Sequence, residues 1–221
     1  VSIEVSALNT FTWNNPAGGN GGDALNWTPN GVPGTDDKAI IDLSGDYTVT
    51  VNVDVTVSVI DMGAASGSQR LLVTNRRLNI VNAALIGGSA SFEQQGGTLG
   101  GAGFMDIAGQ WTWTAGLMDG NGTLRILPGA TGTLSGTGTK EFRNNRVLEN
   151  GGVLTYTGNG LRFYNNAPSI RNLEGGVFEI VGEADLNQFF APPAYLLENA
   201  GTMRKTGAGT TTVQAAVVNT G

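Results

Sequence analysis

The chain has 221 residues, enough for one large domain, and its hydrophobic content of 40% is sufficient for a core. Its 12 basic and 18 acidic residues give a net charge of −6, which argues against a nucleic-acid partner because phosphate backbones need a basic surface. The absence of cysteine excludes disulfides and thiolate chemistry, and the absence of histidine removes the Ser-His-Asp relay and imidazole metal ligation.

The first 45 residues differ from the rest and predict an irregular N-terminal cap. Residues 11–37 hold two of the four tryptophans, Trp13 and Trp27, together with a succession of turn signals such as Asn15-Pro16. The apolar end of a stacked repeat array needs a cover. We therefore expect residues 1–45 to cap, without interruption, an array formed by residues 46–221.

Four aspartates in or beside this cap are candidate metal ligands. Loop carboxylates and carbonyls are the hard oxygen ligands that Ca²⁺ takes, and Asp23, Asp36, Asp37 and Asp42 lie in or beside a segment rich in glycine and asparagine. The alternative is structural, with Asp36 and Asp37 in a turn and Asp42 facing water, and we favour it. Calcium is the one cofactor that the sequence leaves open.

From Lys38 onward the pattern becomes alternating and β-branched. A strand is predicted at residues 39–43, and residues 47–60 alternate strictly, with valine at every odd position from 49 to 59. Because this run is long for one strand, we expect a turn or bend near residues 52–54. Further short strands are predicted at residues 71–74, 78–81, 91–93, 105–107, 111–114, 123–127 and 132–135. No substantial helix is predicted.

A short phrase recurs four times in the C-terminal part of the chain. Aligned on its second glycine, the copies fall at Gly152, Gly176, Gly201 and Gly221, with steps of 24, 25 and 20 residues. A period in the twenties is typical of a solenoid, in which each coil buries its apolar face against the next. We predict an all-β fold, a single right-handed parallel β-solenoid, with the handedness taken from the chirality of parallel crossovers.

The last copy of the phrase reaches only Gly221, so we expect an excised piece of a longer protein with a truncated array. An uncovered coil presents unpaired backbone groups, which makes end-to-end self-association with another copy an expectation.

The repeats also predict which side chains stack inside the solenoid. Asn150, Asn199 and Asn219 each precede their glycine by two residues and are predicted to form an amide ladder. Glu174 takes that position in the second copy, so we expect the ladder to break or shift there. The predicted core positions are Leu148, Val153, Leu173, Val177, Leu197 and Val213.

Three stretches resemble repeat-rich bacterial secreted and cell-surface β-solenoid proteins, of the filamentous-haemagglutinin-like or autotransporter-passenger-like kind. Residues 26–42 resemble their N-W-x-P-G-x-V-P-G-x-x-D-x-A-x-I opening, residues 113–129 their W-T-G-G-x-x-x-G-x-G-T coil, and residues 203–213 their F-x-K-x-G-x-G-T-T-x-I coil. The resemblance implies a structural or adhesive segment without chemistry of its own, located outside the cell or at its surface. Surface glycans or other cell-surface components would be its partners, and no membrane insertion is expected because no apolar run is long enough.

A carbohydrate-binding module is one alternative, because sugar rings stack on exposed aromatic faces. Trp111 and Trp113 share one strand face by parity, and Phe142 and Tyr164 share one if their coils are in register. Trp111, Trp113 and Tyr164 are the candidate binding residues. Residues 189–193, with two phenylalanines and two prolines, are expected to form a loop on the core.

A polysaccharide lyase or glycoside hydrolase is the second alternative, since parallel β-helices host both. A hydrolase needs two carboxylates about 5–9.5 Å apart across a groove. Among the candidates, Glu183 with Asp185 is favoured because the two residues share a strand face. No catalytic residue is assigned, and we do not expect an enzyme. The other pairs are Asp36 and Asp37 with Asp42, Asp54 with Asp61, and Glu174 with Glu179.

Overall fold

The computed structural model describes residues 7–158, 160–164, 166–188 and 195–221. Within these ranges the chain forms an all-β parallel solenoid of about eight turns, with extra strands capping its N-terminal end. The predicted loop at residues 189–193 lies outside the described residues.

The N-terminal cap is built around two buried tryptophans. Its strands are β1 (Asn9–Trp13), β2 (Gly19–Asn20) and β3 (Trp27–Thr28), with a 3₁₀ turn at Ala24–Asn26. The Trp13 and Trp27 rings meet edge to face at 5.1 Å, and their indole N–H groups donate to the carbonyls of Asn15 and Gly21. Strand β1 pairs antiparallel with β3 and parallel with the first strand of the solenoid, so the cap continues the stack.

The remaining strands are short and follow one another around the coils. In chain order they are β4 (Asp37–Ile41), β5 (Tyr47–Val51), β6 (Val55–Met62), β7 (Gln69–Val73), β8 (Arg77–Ile86), β9 (Ala90–Gln94), β10 (Thr98–Gly100), β11 (Phe104–Ile107), β12 (Gln110–Trp113), β13 (Gly116–Met118), β14 (Thr123–Ile126), β15 (Thr131–Leu134), β16 (Lys140–Arg143), β17 (Val147–Asn150), β18 (Val153–Tyr156), β19 (Leu161–Tyr164), β20 (Ser169–Asn172), β21 (Val177–Val181), β22 (Leu186–Gln188), β23 (Leu196–Asn199), β24 (Thr202–Thr206) and β25 (Ala216–Asn219).

These strands stack into three faces. The first face runs β6–β8–β10–β13–β16–β19–β22, the second runs β4–β6–β8–β11–β14–β17–β20–β23–β25, and the third runs β2–β5–β7–β9–β12–β15–β18–β21–β24. The long strands β6 and β8 contribute to the first two faces without a break. All these pairings are parallel, so each residue lies above its equivalent in the coil below. Side chains therefore form columns, either inside the stack or along its outside.

The predicted bend is confirmed, because β5 ends at Val51 and β6 begins at Val55. A register irregularity between Val57 and Val59 then shifts the inward set, so that Ser58 and Ile60 are buried and Val59 is only half-buried. The extra residue lies on β8, where Val81 and Asn82 face the single residue Ser58 of β6, and the alternation that the sequence predicted through position 59 is lost.

The predicted core is right in part. Leu148 and Leu197 are fully buried, whereas Val153 and Leu173 are each 40% exposed, so their prediction is wrong. In β18 the inward residues are Leu154 and Tyr156, one position later than expected, and a shift of one residue turns every side chain to the other face. Of the remaining two, Val177 is half-buried on the outer side of β21, and Val213 is partly buried against the core.

Candidate functional site

The two tryptophans predicted to bind sugar lie inside the solenoid. Trp111 is 1% exposed and Trp113 is 0% exposed, so neither ring offers a face to a sugar, and the prediction for these two residues is wrong. They do share one strand face, but it is the inner one. Gly132 lies directly above Trp111, and a Cβ there would come within 3.1 Å of the indole. The missing side chain makes room for the large ring.

The buried aromatics continue as a column inside the stack. The rings of Trp113 and Phe142 meet edge to face at 5.2 Å, those of Phe142 and Phe163 stack at 5.3 Å, and Tyr195 stacks on Phe163 at 3.7 Å. The predicted shared face of Phe142 and Tyr164 is wrong, because Phe142 aligns with Phe163 across β16 and β19.

Tyr164 is the one sugar-binding candidate on the outside. It is half-buried, and the Arg143 guanidinium lies 5.1 Å from the centre of its ring. Arg143 also pairs with Glu141 at 2.7 Å on the same face. This outward group of Glu141, Arg143 and Tyr164 provides one aromatic surface with a carboxylate and a guanidinium beside it.

The four aspartates of the calcium prediction do not converge. Asp23 caps the 3₁₀ turn by accepting from the Leu25 amide at 3.0 Å, and Asp37 accepts from the Asn9 amide group and the Gly34 backbone. Asp36 and Asp42 are exposed. Among the described residues, no group of three acidic side chains could hold a metal ion. The calcium prediction therefore finds no ligand set in the part of the chain that the structure describes.

Two of the predicted carboxylate pairs are held in structural contacts. Asp54 accepts from the Arg77 backbone at 2.8 Å, and Asp61 pairs with Lys38 at 3.0 Å. Hydrogen bonds from Arg204 and Thr206 lower the pKa of Glu179, which favours its ionised form over a proton-donating one.

The favoured pair, Glu183 with Asp185, lies at a corner of the stack. Glu183 is exposed and borders an open surface hollow of about 320 Å³, which is also lined by Thr137, Thr157 and Gly158. Asp185 accepts from the Thr212 backbone at 2.6 Å, which fixes its carboxylate against the next coil. Glu183 therefore adjoins a surface depression, whereas Asp185 is not among the residues that line it.

A column of alternating charge runs along the outside of the second face. Within it, Arg171 bridges two coils, with nitrogen–oxygen distances of 3.4 Å to Glu149 and 2.7 Å to Glu198. Arg125 likewise pairs with Asp106 in the coil below. Sequence reasoning missed this column because its members share a face only once the coil register is known. The column consists of Asp106, Arg125, Glu149, Arg171 and Glu198.

The amide ladder exists, but one of its members differs from the prediction. Asn150 donates to Asn172 at 2.7 Å, Asn172 donates to Asn199 at 2.7 Å, and Asn199 donates to Asn219 at 2.6 Å. Of the two outcomes expected at Glu174, a break or a shift, the structure shows the shift, because Asn172 takes the ladder position. Asn172 precedes its glycine by four residues, so the second copy carries a longer corner that leaves Glu174 exposed in a turn.

A second polar network joins coils at another corner. The Asp119 carboxylate accepts from Asn144 one coil above and from Arg77 two coils below. The Arg77 side chain passes over Gly100, where a Cβ would lie 2.9 Å from the guanidinium. Asn166 extends the network by donating to Asn144 at 3.1 Å. These hydrogen bonds were also not predicted from the sequence.

Two cations are buried at the corners. Lys140 is fully buried, and its ammonium donates to the carbonyls of Thr114, Gly136 and Gly138 at 2.9–3.3 Å. Burial lowers the pKa of Lys140 to about 8. Burial also lowers the pKa of Arg146 to about 10, partly opposed by the Asp119 charge. The Lys140 ammonium thereby ties neighbouring turns together, whereas the Nε and Nη1 atoms of Arg146 are buried without a hydrogen-bond partner among the described residues.

Comparisons of the chain with protein-family models, with curated proteins and with solved structures found no match. Within the described ranges, no helix has the length and apolar character to cross a membrane. The assignment of the β-solenoid fold therefore rests on the strand pairing described above.

Proposed function

We propose that the chain is a non-catalytic structural or adhesive segment of a large extracellular bacterial surface protein. One observation carries the proposal: the side chains that a ligand site would use are engaged between coils. The large aromatics stack inside the solenoid, and the outward charges of the second face pair with the coil above or below. Such columns favour a stiff rod whose surface charges stabilise the contacts between its own coils.

The extracellular and bacterial parts of the proposal rest on the resemblance of residues 26–42, 113–129 and 203–213 to secreted surface solenoids. A charged fraction of only 14% agrees with them. A fold held by packing and strand ladders, with no cysteine to oxidise, suits a module that has to persist outside the cell.

Carbohydrate binding is the second candidate, and the outward group around Tyr164 is the observation that favours it. A glycan array probed with the labelled 221-residue chain separates the two candidates. A structural segment binds no glycan above the background of an unrelated labelled protein. Binding that is lost in Tyr164→Ala but kept in Tyr47→Phe, a change inside the core, would favour the binding module instead.

A polysaccharide-active enzyme is the third candidate, favoured only by the hollow beside Glu183. Its residues would be Glu183 and Asp185, with the hollow receiving the chain to be cut. Product formation from polysaccharides, rather than binding, is the property that distinguishes this candidate.

A further inference from the structure

The solenoid contains an apolar cavity of about 40 Å³ between the cap and its first coils. The wall of this cavity is entirely apolar and comes from both the cap and the coils. Such a space exceeds what one water molecule needs, but a water there would find no polar partner. Its lining includes Trp27, Pro33, Val49, Val51, Val57 and Leu71.

The cavity exists because the side chains around it are short. Farther along the stack, the interior is filled by large rings such as Trp111, Trp113 and Phe178, all of them fully or almost fully buried. Valine stands instead at two of the three inward positions of β5, Val49 and Val51, the third being Tyr47, and at Val57 in the first half of β6. Branched side chains of this length, on opposite walls, do not meet across the interior.

The cavity reaches the surface beside the turn that separates β5 from β6. Two of its lining residues are partly exposed, Val32 at 36% and Val53 at 38%. Gly22 lies against Val53, and a Cβ at Gly22 would approach the valine methyls to 2.7 Å. The mouth is therefore framed by the valine methyls and by the Asn52 side-chain oxygen, which accepts from the Gly22 amide, with a glycine where a side chain would close it.

We propose that this cavity binds a small, neutral aliphatic molecule or chain end. An apolar space that water does not fill favourably gains dispersion contacts and loses nothing polar when such a group enters. The residues that follow the mouth glycine and valine are Asp23 and Asp54. Their negative charges disfavour a carboxylate at the entrance, so a neutral ligand is favoured over a fatty acid.

Methyl-resolved NMR of the 221-residue chain tests the proposal, with methane, which the cavity volume admits, as the neutral probe and formate as its anionic match. Methane is expected to shift the methyl signals of Val49, Val51 and Val57 in a saturable way and to leave Val177, far along the stack, unchanged. Formate at equal concentration is expected to leave all four unchanged.

Two cavity-filling variants and a control complete the design. Val49→Ile and Val57→Ile each add a methylene to the wall and are expected to abolish the methane shifts, whereas Val177→Ile keeps them. Using two variants covers the case in which one does not fold. The proposal is overturned if methane shifts no lining methyl near saturation, if the filled variants respond like the parent, or if formate binds as well as methane.

Discussion

Gly152 lies at the corner between the second and third faces, against the carbonyls of Leu127 and Ala130 in the coil below. A Cβ at this position would overlap both oxygens, and the strand pairing on either side prevents the backbone from retreating. Gly152→Ala is therefore expected to lower the free energy of unfolding by about 1–3 kcal/mol, the usual cost of forcing extra volume into a packed site.

Urea unfolding followed by circular dichroism measures this change, and Gly88→Ala is the matched control. Gly88 has nothing within 4 Å of its would-be Cβ and does not require a left-handed backbone, so its substitution is expected to change stability little. If Gly152→Ala lowered the free energy of unfolding as little as Gly88→Ala does, the corner would be shown to tolerate a side chain.

Lys140 makes stability depend on pH, because its amine is buried among carbonyls. Its pKa is lowered from 10.5 to about 8 in the folded protein, so between these values the unfolded chain binds more protons than the folded one. Stability is then expected to rise as pH increases from about 7 to 9.5. Lys140→Met removes this rise and also lowers stability overall, since the three carbonyls lose their donor.

Urea midpoints across that pH range provide the measurement, with Lys205→Met as control. Lys205 is exposed, so its variant is expected to keep the parent slope. A Lys140→Met protein with the parent slope would mean that other groups govern the dependence.

At the scale of elements, the amide ladder fastens the last coils to one another. Asn172→Ala would remove one of the two acceptors of the Asn150 amide, the other being the Val177 carbonyl, and would leave the Asn199 oxygen without its donor inside the stack. Unsatisfied buried polar groups cost about 1–3 kcal/mol each, so a loss of at least that size is expected. Thermal unfolding of Asn172→Ala beside Asn75→Ala, an exposed turn residue, checks it, and similar midpoints for both would contradict a stabilising ladder.

The sequence predicted the architecture because a repeat period survives changes in individual residues. Gly152, Gly176 and Gly201 are stacked as the aligned phrases indicated, since the residues that follow them pair in register. What failed was position within a coil. The longer corner after Asn172 moved the ladder residue. In β18 the inward residues begin at Leu154, one position after the expected Val153.

The candidate sites were harder to predict because they depend on which way a side chain points. Trp111 and Trp113 alternate correctly for a sugar platform, yet parity alone does not say whether their shared face is inside or outside. The charge column through Arg125 and Arg171 needs the register of five coils before its members become neighbours. Glycine-rich strands β10 and β13 carry too little alternation to be recognised.

At the scale of the whole molecule, strand β25 leaves an edge on the second face. Val217 and Val218 are 52% and 47% exposed there, and the backbone groups on that side of β25 are unpaired among the described residues. We expect the 221-residue chain to associate reversibly with itself through this edge at high concentration. Sedimentation equilibrium measures it, and Val218→Lys is expected to weaken association, while the distant exposed Val81→Lys leaves it unchanged. A parent that stays monomeric to millimolar concentration would contradict this expectation.

The proposed non-catalytic role is tested most directly by incubating the chain with a panel of bacterial, plant and algal polysaccharides and measuring new reducing and unsaturated ends. The proposal predicts no product above that of a Glu183→Gln/Asp185→Asn double variant on any polymer. Product formed by the parent and lost in that variant would contradict the proposal and make the hollow beside Glu183 an active site.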